Sequence, residues 1–255
     1  MSVQQVKRTA GVVVNYTYYL EENKSLSELQ KLLFKYSFLK SRDHDLTINI
    51  HCNEKFKEVC DELEIVPDNF YPLEEDNSIN SKVFWAYHKI KVYNKQPAGE
   101  IHLDTDAVLK SFPVLNSEYS VQVAHIDEPT YEMNNIFLPP NYTLPSFTEA
   151  NLKGFNMSAV CFHSQQLKDI YCKNALAFMQ GNDVLFDNGW AHMVFIEQAS
   201  LKQICEYYNY SYKFLVDDTD YYHLGAIKKM LTDEEKNNLI NKIKNRIWQL
   251  SILAQ

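Results

Sequence analysis

The sequence predicts an α/β fold, a wound sheet flanked by helices in one domain that spans residues 1–255. Two observations carry this. Helix, strand and helix signals follow one another within about 45 residues near the N-terminus, the rhythm of alternating α/β architectures. Short apolar strands then recur along the chain, each closed by turn or capping residues. The length suits one α/β unit.

The elements follow in chain order. Val12-Val-Val-Asn15-Tyr16 is the candidate first strand. Ser25 and Glu28 have the spacing of a capping box, and Leu29, Leu32, Leu33, Tyr36 and Leu39 behind them keep helical spacing. Leu46, Ile48 and Ile50 alternate with polar residues up to His51, as in a strand with one buried face. Asn53 is the expected cap of a second helix carrying Phe56, Val59, Cys60 and Leu63. Val66 to Ser78 reads as a loop with an acidic patch at Glu74, Glu75 and Asp76. Lys82 to Tyr93 returns to helical spacing, with Val83, Trp85, Tyr87 and Ile90 inward. Pro97 and Gly99 punctuate the chain before a short strand, Glu100 to Leu103.

Five of the eight prolines fall between residues 111 and 150, which predicts long loops around one strand, Tyr119 to Ala124. Gly154-Phe155-Asn156 is expected to turn into a cleft ahead of an apolar strand, Ala159 to Phe162. Ser164 opens a helix to Gln180, with Gly181 as its C′ residue. A helix over Trp190 to Tyr208 and a strand over Tyr212 to Val216 follow. Thr232 and Glu235 form a second capping box, opening a last helix over about 232–253. Leu239, Ile240, Ile243, Ile247 and Leu250 line one face of it. Docking on the core is the common fate of such a stripe. The flanking Lys236, Lys242, Lys244 and Arg246 leave peripheral membrane association as the other.

Composition removes whole classes of function. Lys and Arg number 25 against 33 Asp and Glu, a net charge of −8, without the basic stripe that nucleic-acid binding leaves. No apolar run approaches the roughly 20 residues of a membrane helix. Cys52, Cys60, Cys161, Cys172 and Cys205 are odd in number and lack a Cys-x-x-Cys pair, so they read as buried free thiols in a reducing, cytoplasmic setting.

The sharpest chemical feature is Ile101-His-Leu-Asp104-Thr-Asp106. Residues i and i+2 of an extended segment project to one side. Two carboxylates there can share a divalent cation, which prefers oxygen ligands. Open α/β sheets bind ligands at the carboxyl ends of their strands. Further along, His223 offers an imidazole ligand, Gly225 close backbone approach and Lys228 a cation for phosphate. Glu197 and Gln198 interrupt an apolar helical run, where a carboxylate is costly unless it is paired or faces a cleft.

In this order, Asp104-x-Asp106, Asn156, Glu197-Gln198 and His223…Gly225…Lys228 resemble the GT-A glycosyltransferases of the glycogenin and lipopolysaccharide-galactosyltransferase type. Phe84 to Ile90 also resembles the donor-side helix of a bacterial group of GT-A-like proteins. The likeness implies a Rossmann-type sheet and a retaining transfer from a nucleoside-diphosphate sugar, a UDP-sugar, to a saccharide or other acceptor. By that likeness Asp104, Asp106 and His223 hold Mn²⁺ or Mg²⁺, and Gly225 and Lys228 meet the diphosphate. Asn156, Glu197 and Gln198 line the sugar pocket. Two alternatives stay open. One is a non-catalytic sugar or nucleotide binder on the same fold. The other is a phosphohydrolase of the haloacid-dehalogenase type, with Asp104 as nucleophile and Asp217-Asp218 as a later acidic pair.

Overall fold

The computed structural model describes residues 11–76, 78–80, 83–127, 136–142, 153–182, 189–216, 221–225 and 230–253. Its strands are β1 Val13–Tyr18, β2 Thr47–Cys52, β3 Asn69–Pro72, β4 Ile101–Leu103, β5 Ala107–Leu109, β6 Val121–Val123, β7 Ile126–Asp127, β8 Gly154–Phe155, β9 Ala159–Phe162, β10 Tyr212–Phe214 and β11 Tyr221–His223. The helices are α1 Glu28–Asp43, α2 Glu54–Glu62, α3 Tyr87–Lys95, α4 Gln165–Gly181, α5 Gly189–Val194, α6 Ser200–Tyr208 and α7 Asp233–Leu253. A π-helical turn, Phe195–Ala199, joins α5 to α6.

Seven strands form one sheet in the order β10-β6-β9-β4-β1-β2-β3. Pairing is parallel except at β9, which runs antiparallel to both β4 and β6. The expected α/β sheet flanked by helices is therefore what the chain builds. β1, β2, β4, β6 and β10 all end at the same edge, and Asp104 follows β4 there. Apolar side chains fill both faces. Val14, Tyr16, Ile48, Ile50, Phe34 and Phe56 pack on the α1–α2 side. Ile90, Tyr93, Phe162, Tyr171, Phe178 and Ile204 pack on the α3–α4–α6 side.

Register across β1, β2 and β3 is marked by a row of amides. Asn69 Nδ2 donates to Asn49 Oδ1 (2.9 Å), Asn49 Nδ2 to Asn15 Oδ1 (3.1 Å) and Asn15 Nδ2 to Glu100 Oε2 (2.7 Å). A one-residue slip of β2 would turn Asn49 to the apolar face and break the row.

Several local expectations are corrected. The capping box of α1 is Ser27 with Gln30, not Ser25 with Glu28, because Glu28 already lies in the first turn. Asn53 sits at the N-cap of α2, but its amide instead bridges the backbone N–H and C=O of Leu20 and ties α2 to the end of β1. The Val66 to Ser78 loop contains β3, which pairs in register with β2 despite its two-residue apolar content. Regular helix in α3 begins at Tyr87, and Trp85 is 45% exposed rather than inward. Gly181 is the last residue of α4, not its C′ residue; a Cβ on it would fall 2.3 Å from Pro139 Cβ, so it serves close packing. β10 stops at Phe214, and the 111–150 segment holds β7 as well as β6.

The last helix is as expected. Glu235 accepts from the Thr232 N–H and hydroxyl at 2.8 Å each. The apolar stripe of α7 docks on α1, where Leu239, Ile240, Ile243 and Ile247 meet Leu29, Leu32, Leu33 and Tyr36. That contact takes up the face a membrane would need. Among the described residues no helix is long and apolar enough to cross a membrane. All five cysteines are buried and free, as the sequence implied.

Candidate active site

Asp104 leaves β4 and enters a tight turn, in which Ala107 N–H donates to Asp104 C=O at 3.0 Å. The two carboxylates are thus brought together by a turn, not by the extended spacing expected from the sequence. The turn feeds β5, which pairs antiparallel with β11 in a two-stranded ribbon. In that register His223 stands opposite Ala107, next to Asp106. His223 Nε2 lies 3.4 Å from Asp106 Oδ1. The ligand atoms of Asp104, Asp106 and His223 all fall within 4.8 Å of one another. Two atoms bonded to one hard cation at about 2.1 Å can be at most ~4.2 Å apart. A closure of about half an ångström would let this trio share an ion, and two carboxylates with one imidazole suit a divalent metal.

Burial works against a charge on His223, but the hydrogen bond and charge of Asp106, with Asp104 behind it, outweigh burial and raise the imidazole above its ordinary range. Gly225 follows at φ +44°, and a Cβ there would sit 3.0 Å from His223 Cε1. The room left by this glycine is taken by the imidazole. Lys228 lies outside the described residues, as do Asp217 and Asp218.

Behind Asp104 is a feature the sequence reading missed. Lys89 of α3 reaches Asp104 Oδ1 at 2.7 Å and Glu197 Oε1 at 2.6 Å. Lys89 is 10% exposed and Glu197 7%. Burial opposes the ammonium charge, yet the two carboxylates override it and hold Lys89 well above its usual range. Burial pushes the Glu197 carboxyl up, with Lys89 pulling the other way. Glu197 is therefore not on an exposed helix face. It is the buried partner of a cation.

The π turn explains how Glu197 gets there. One extra residue per turn rotates the helix at this point and frees carbonyls from the regular ladder. Tyr171 OH donates to the freed Glu197 C=O (2.9 Å), and Ser200 Oγ donates to Ile196 C=O (2.7 Å). Gly154 lets β8 press on this turn, since a Cβ there would lie 2.8 Å from Gln198 Cβ. Gln198 is half-buried beside it.

Asn156 connects the floor of the site. Its Nδ2 donates to both oxygens of Asp127 (3.2 and 3.0 Å), and its Oδ1 accepts from Ser158 N–H (3.1 Å) and the Ser158 hydroxyl. Tyr221 OH donates to Ser158 Oγ, and Ser158 C=O accepts from Asp104 N–H at 2.8 Å. The structure thus gathers Asp104, Asp106 and His223 around one point, with Glu197 joined through Lys89 and Asn156 through Ser158.

No protein-family model and no curated protein matches the sequence. Solved structures are similar in outline. The PaToxG glycosyltransferase aligns at 11% identity and a TM-score of 0.42, covering 93% of this chain and 77% of that one. The 4-diphosphocytidyl-2C-methyl-D-erythritol synthase of Anaerococcus prevotii aligns at 8% and 0.44, covering 91% and 98%. Core-mannan synthase A of Aspergillus fumigatus, in its Mn/GDP form, aligns at 10% and 0.41, covering 88% and 77%. Likeness at this level concerns the arrangement of strands and helices, and says nothing of which side chains act.

Proposed function

We propose that the chain is a metal-dependent glycosyltransferase of GT-A-like fold, formed as one domain. The observation that carries this reading is the convergence of Asp104, Asp106 and His223 at the carboxyl edge of the sheet, next to a buried Lys89–Glu197 pair. Asp104, Asp106 and His223 would hold Mn²⁺ or Mg²⁺. The bound ion would neutralise charge on the departing diphosphate. Gly225 and Lys228 belong on the diphosphate side in this reading, and Glu197, Gln198 and Asn156 on the sugar side. Lys89 fixes the Asp104 and Glu197 carboxylates relative to each other, which fixes the diphosphate relative to the sugar. The donor is a nucleoside-diphosphate sugar, a UDP-sugar by sequence resemblance, whose sugar passes to a saccharide or other acceptor. Five buried free thiols fit a cytoplasmic setting.

A melting-shift screen tests this. UDP, GDP, CMP and their sugars are each added with and without Mn²⁺. A ligand at 100 times its Kd adds about 2.7 kcal/mol of stability. One nucleotide whose shift requires Mn²⁺ is the expected outcome. No Mn²⁺-dependent shift with any of them would overturn the reading and favour a degenerate binder or the phosphohydrolase, in which Asp104 acts as nucleophile.

A further inference from the structure

A second histidine–carboxylate pair lies at the same edge of the sheet. His125 and Asp127 follow β6 at the sheet edge where Asp104 ends β4. His125 Nε2 is 3.0 Å from Asp127 Oδ1, and the two side chains are 36% and 33% exposed. Both Asp127 oxygens also accept from Asn156 Nδ2. The backbone is pinned on either side, since Ala124 N–H donates to Asn156 C=O (3.2 Å) and Asn156 N–H donates to His125 C=O (2.8 Å).

Two features make this pair chemically specific. The first is the tautomer. A carboxylate held by an amide donor can only accept, so the proton of neutral His125 sits on Nε2 and the lone pair is left on Nδ1. The second is place. The Tyr221 ring lies 6.0 Å from the His125 ring and 6.1 Å from the His223 ring. Tyr221 is thus a neighbour of both His125 and the carboxylate–imidazole trio, and His125 itself is 36% exposed. Neither Lys89 nor His223 can serve as a proton acceptor there, because Lys89 is held as a cation between two carboxylates and His223 belongs to the metal trio.

We propose that His125 is the general base of the transfer, with Asp127 and Asn156 as its positioning residues. This rests on the glycosyltransferase reading above. As the acceptor oxygen bonds to the anomeric carbon of the donor, its proton passes to His125 Nδ1. The bond from that carbon to the diphosphate oxygen breaks, and its electron pair leaves with the diphosphate; this single displacement inverts the carbon, in place of the retention that the sequence resemblance implied. The imidazolium that forms faces Asp127, whose negative charge offsets it.

Water is the simplest acceptor, so donor hydrolysis reads the step before the natural acceptor is identified. The probe is the nucleotide sugar with the largest Mn²⁺-dependent melting shift, incubated with the full chain and Mn²⁺. His125→Ala should slow hydrolysis by about 10²- to 10⁴-fold, the usual weight of a general base. Its Mn²⁺-dependent melting shift with the donor should stay at the wild-type value, and added imidazole should restore part of the rate. His125→Gln keeps a hydrogen-bonding group beside Asp127 but has no basic nitrogen, so it should be as slow as His125→Ala. Wild-type hydrolysis in either variant would overturn the assignment, as would a loss in His125→Ala that imidazole leaves untouched. A wild-type protein that shows no Mn²⁺-dependent donor shift fails at the underlying reading instead, and the base assignment falls with it.

Discussion

Two cation–carboxylate contacts share one site and differ in kind. Lys89 lies between Asp104 and Glu197 at 2.7 and 2.6 Å, with Lys89 and Glu197 nearly sealed from solvent. His223 meets Asp106 at 3.4 Å on a two-stranded ribbon of three residues a side. The first commits Lys89 and Glu197 to each other, and removing either strands a buried charge. The second is looser, a longer contact carried on a short ribbon, as a ligand set must be if an ion is to enter. One contact holds the site's shape, and the other is free to exchange partners.

The largest expected effect breaks the first contact. Lys89→Met leaves Glu197 buried without its cation and should cost roughly 3–5 kcal/mol of stability, read by denaturant unfolding. Adding Glu197→Gln should recover part of it. A loss under about 1 kcal/mol in Lys89→Met would mean that the pair is solvated and that the contrast is false.

The next effect concerns the residue before it. Burial lowers the His88 imidazole to about 4, with Lys91 adding to that and Asp76 opposing it. The ring stacks on Tyr19 with centroids 4.4 Å apart. Its folded value lies below the unfolded value of about 6.5, so its contribution is complete above pH 6.5. It is lost as pH falls from there towards 4, because the unfolded chain takes up a proton that the folded chain refuses. On the order of 3 kcal/mol is at stake across that window. His88→Gln should flatten the stability–pH profile between 6.5 and 4, and an unchanged slope would show that the ring is not buried as a neutral base.

The smallest effect on stability should come from the second contact. His223→Ala should destabilise the metal-free protein by about 1–2 kcal/mol, less than Lys89→Met, since the pair is largely buried but its contact is loose. Yet it should remove the Mn²⁺-dependent shift. A variant that melts far below wild type would make His223 a structural anchor like Lys89.

The same contrast separates what could be read in the sequence from what could not. Asp104 and Asp106 were legible because an apolar strand stops at them, and both sit on one continuous stretch of chain. Helix α7 and its cap were legible because Thr232, Glu235 and the apolar stripe are local signals. The contact of His223 with Asp106 depends on β5 pairing with β11, a long-range match of two three-residue strands with no period long enough to detect. Glu197 was noticed as an anomaly, but its direction was set by a π turn, which no spacing rule encodes. Lys89 left a signal that went unread. It lies three residues after Ala86 and four before Tyr93, both buried, so helical spacing already placed it on the inward face.

Helix α7 is remote from the carboxylates in sequence, yet Leu224 and Tyr222 share its small apolar cluster with α1. His223 is flanked on both sides by residues of that cluster. In a chain made from its N-terminus, Asp104 and Asp106 are in place long before the segment that backs their third partner emerges. The trio is therefore the last part of the site to be assembled during synthesis, and a chain cut short before Thr232 would carry both carboxylates but lack the wall that holds the imidazole against them.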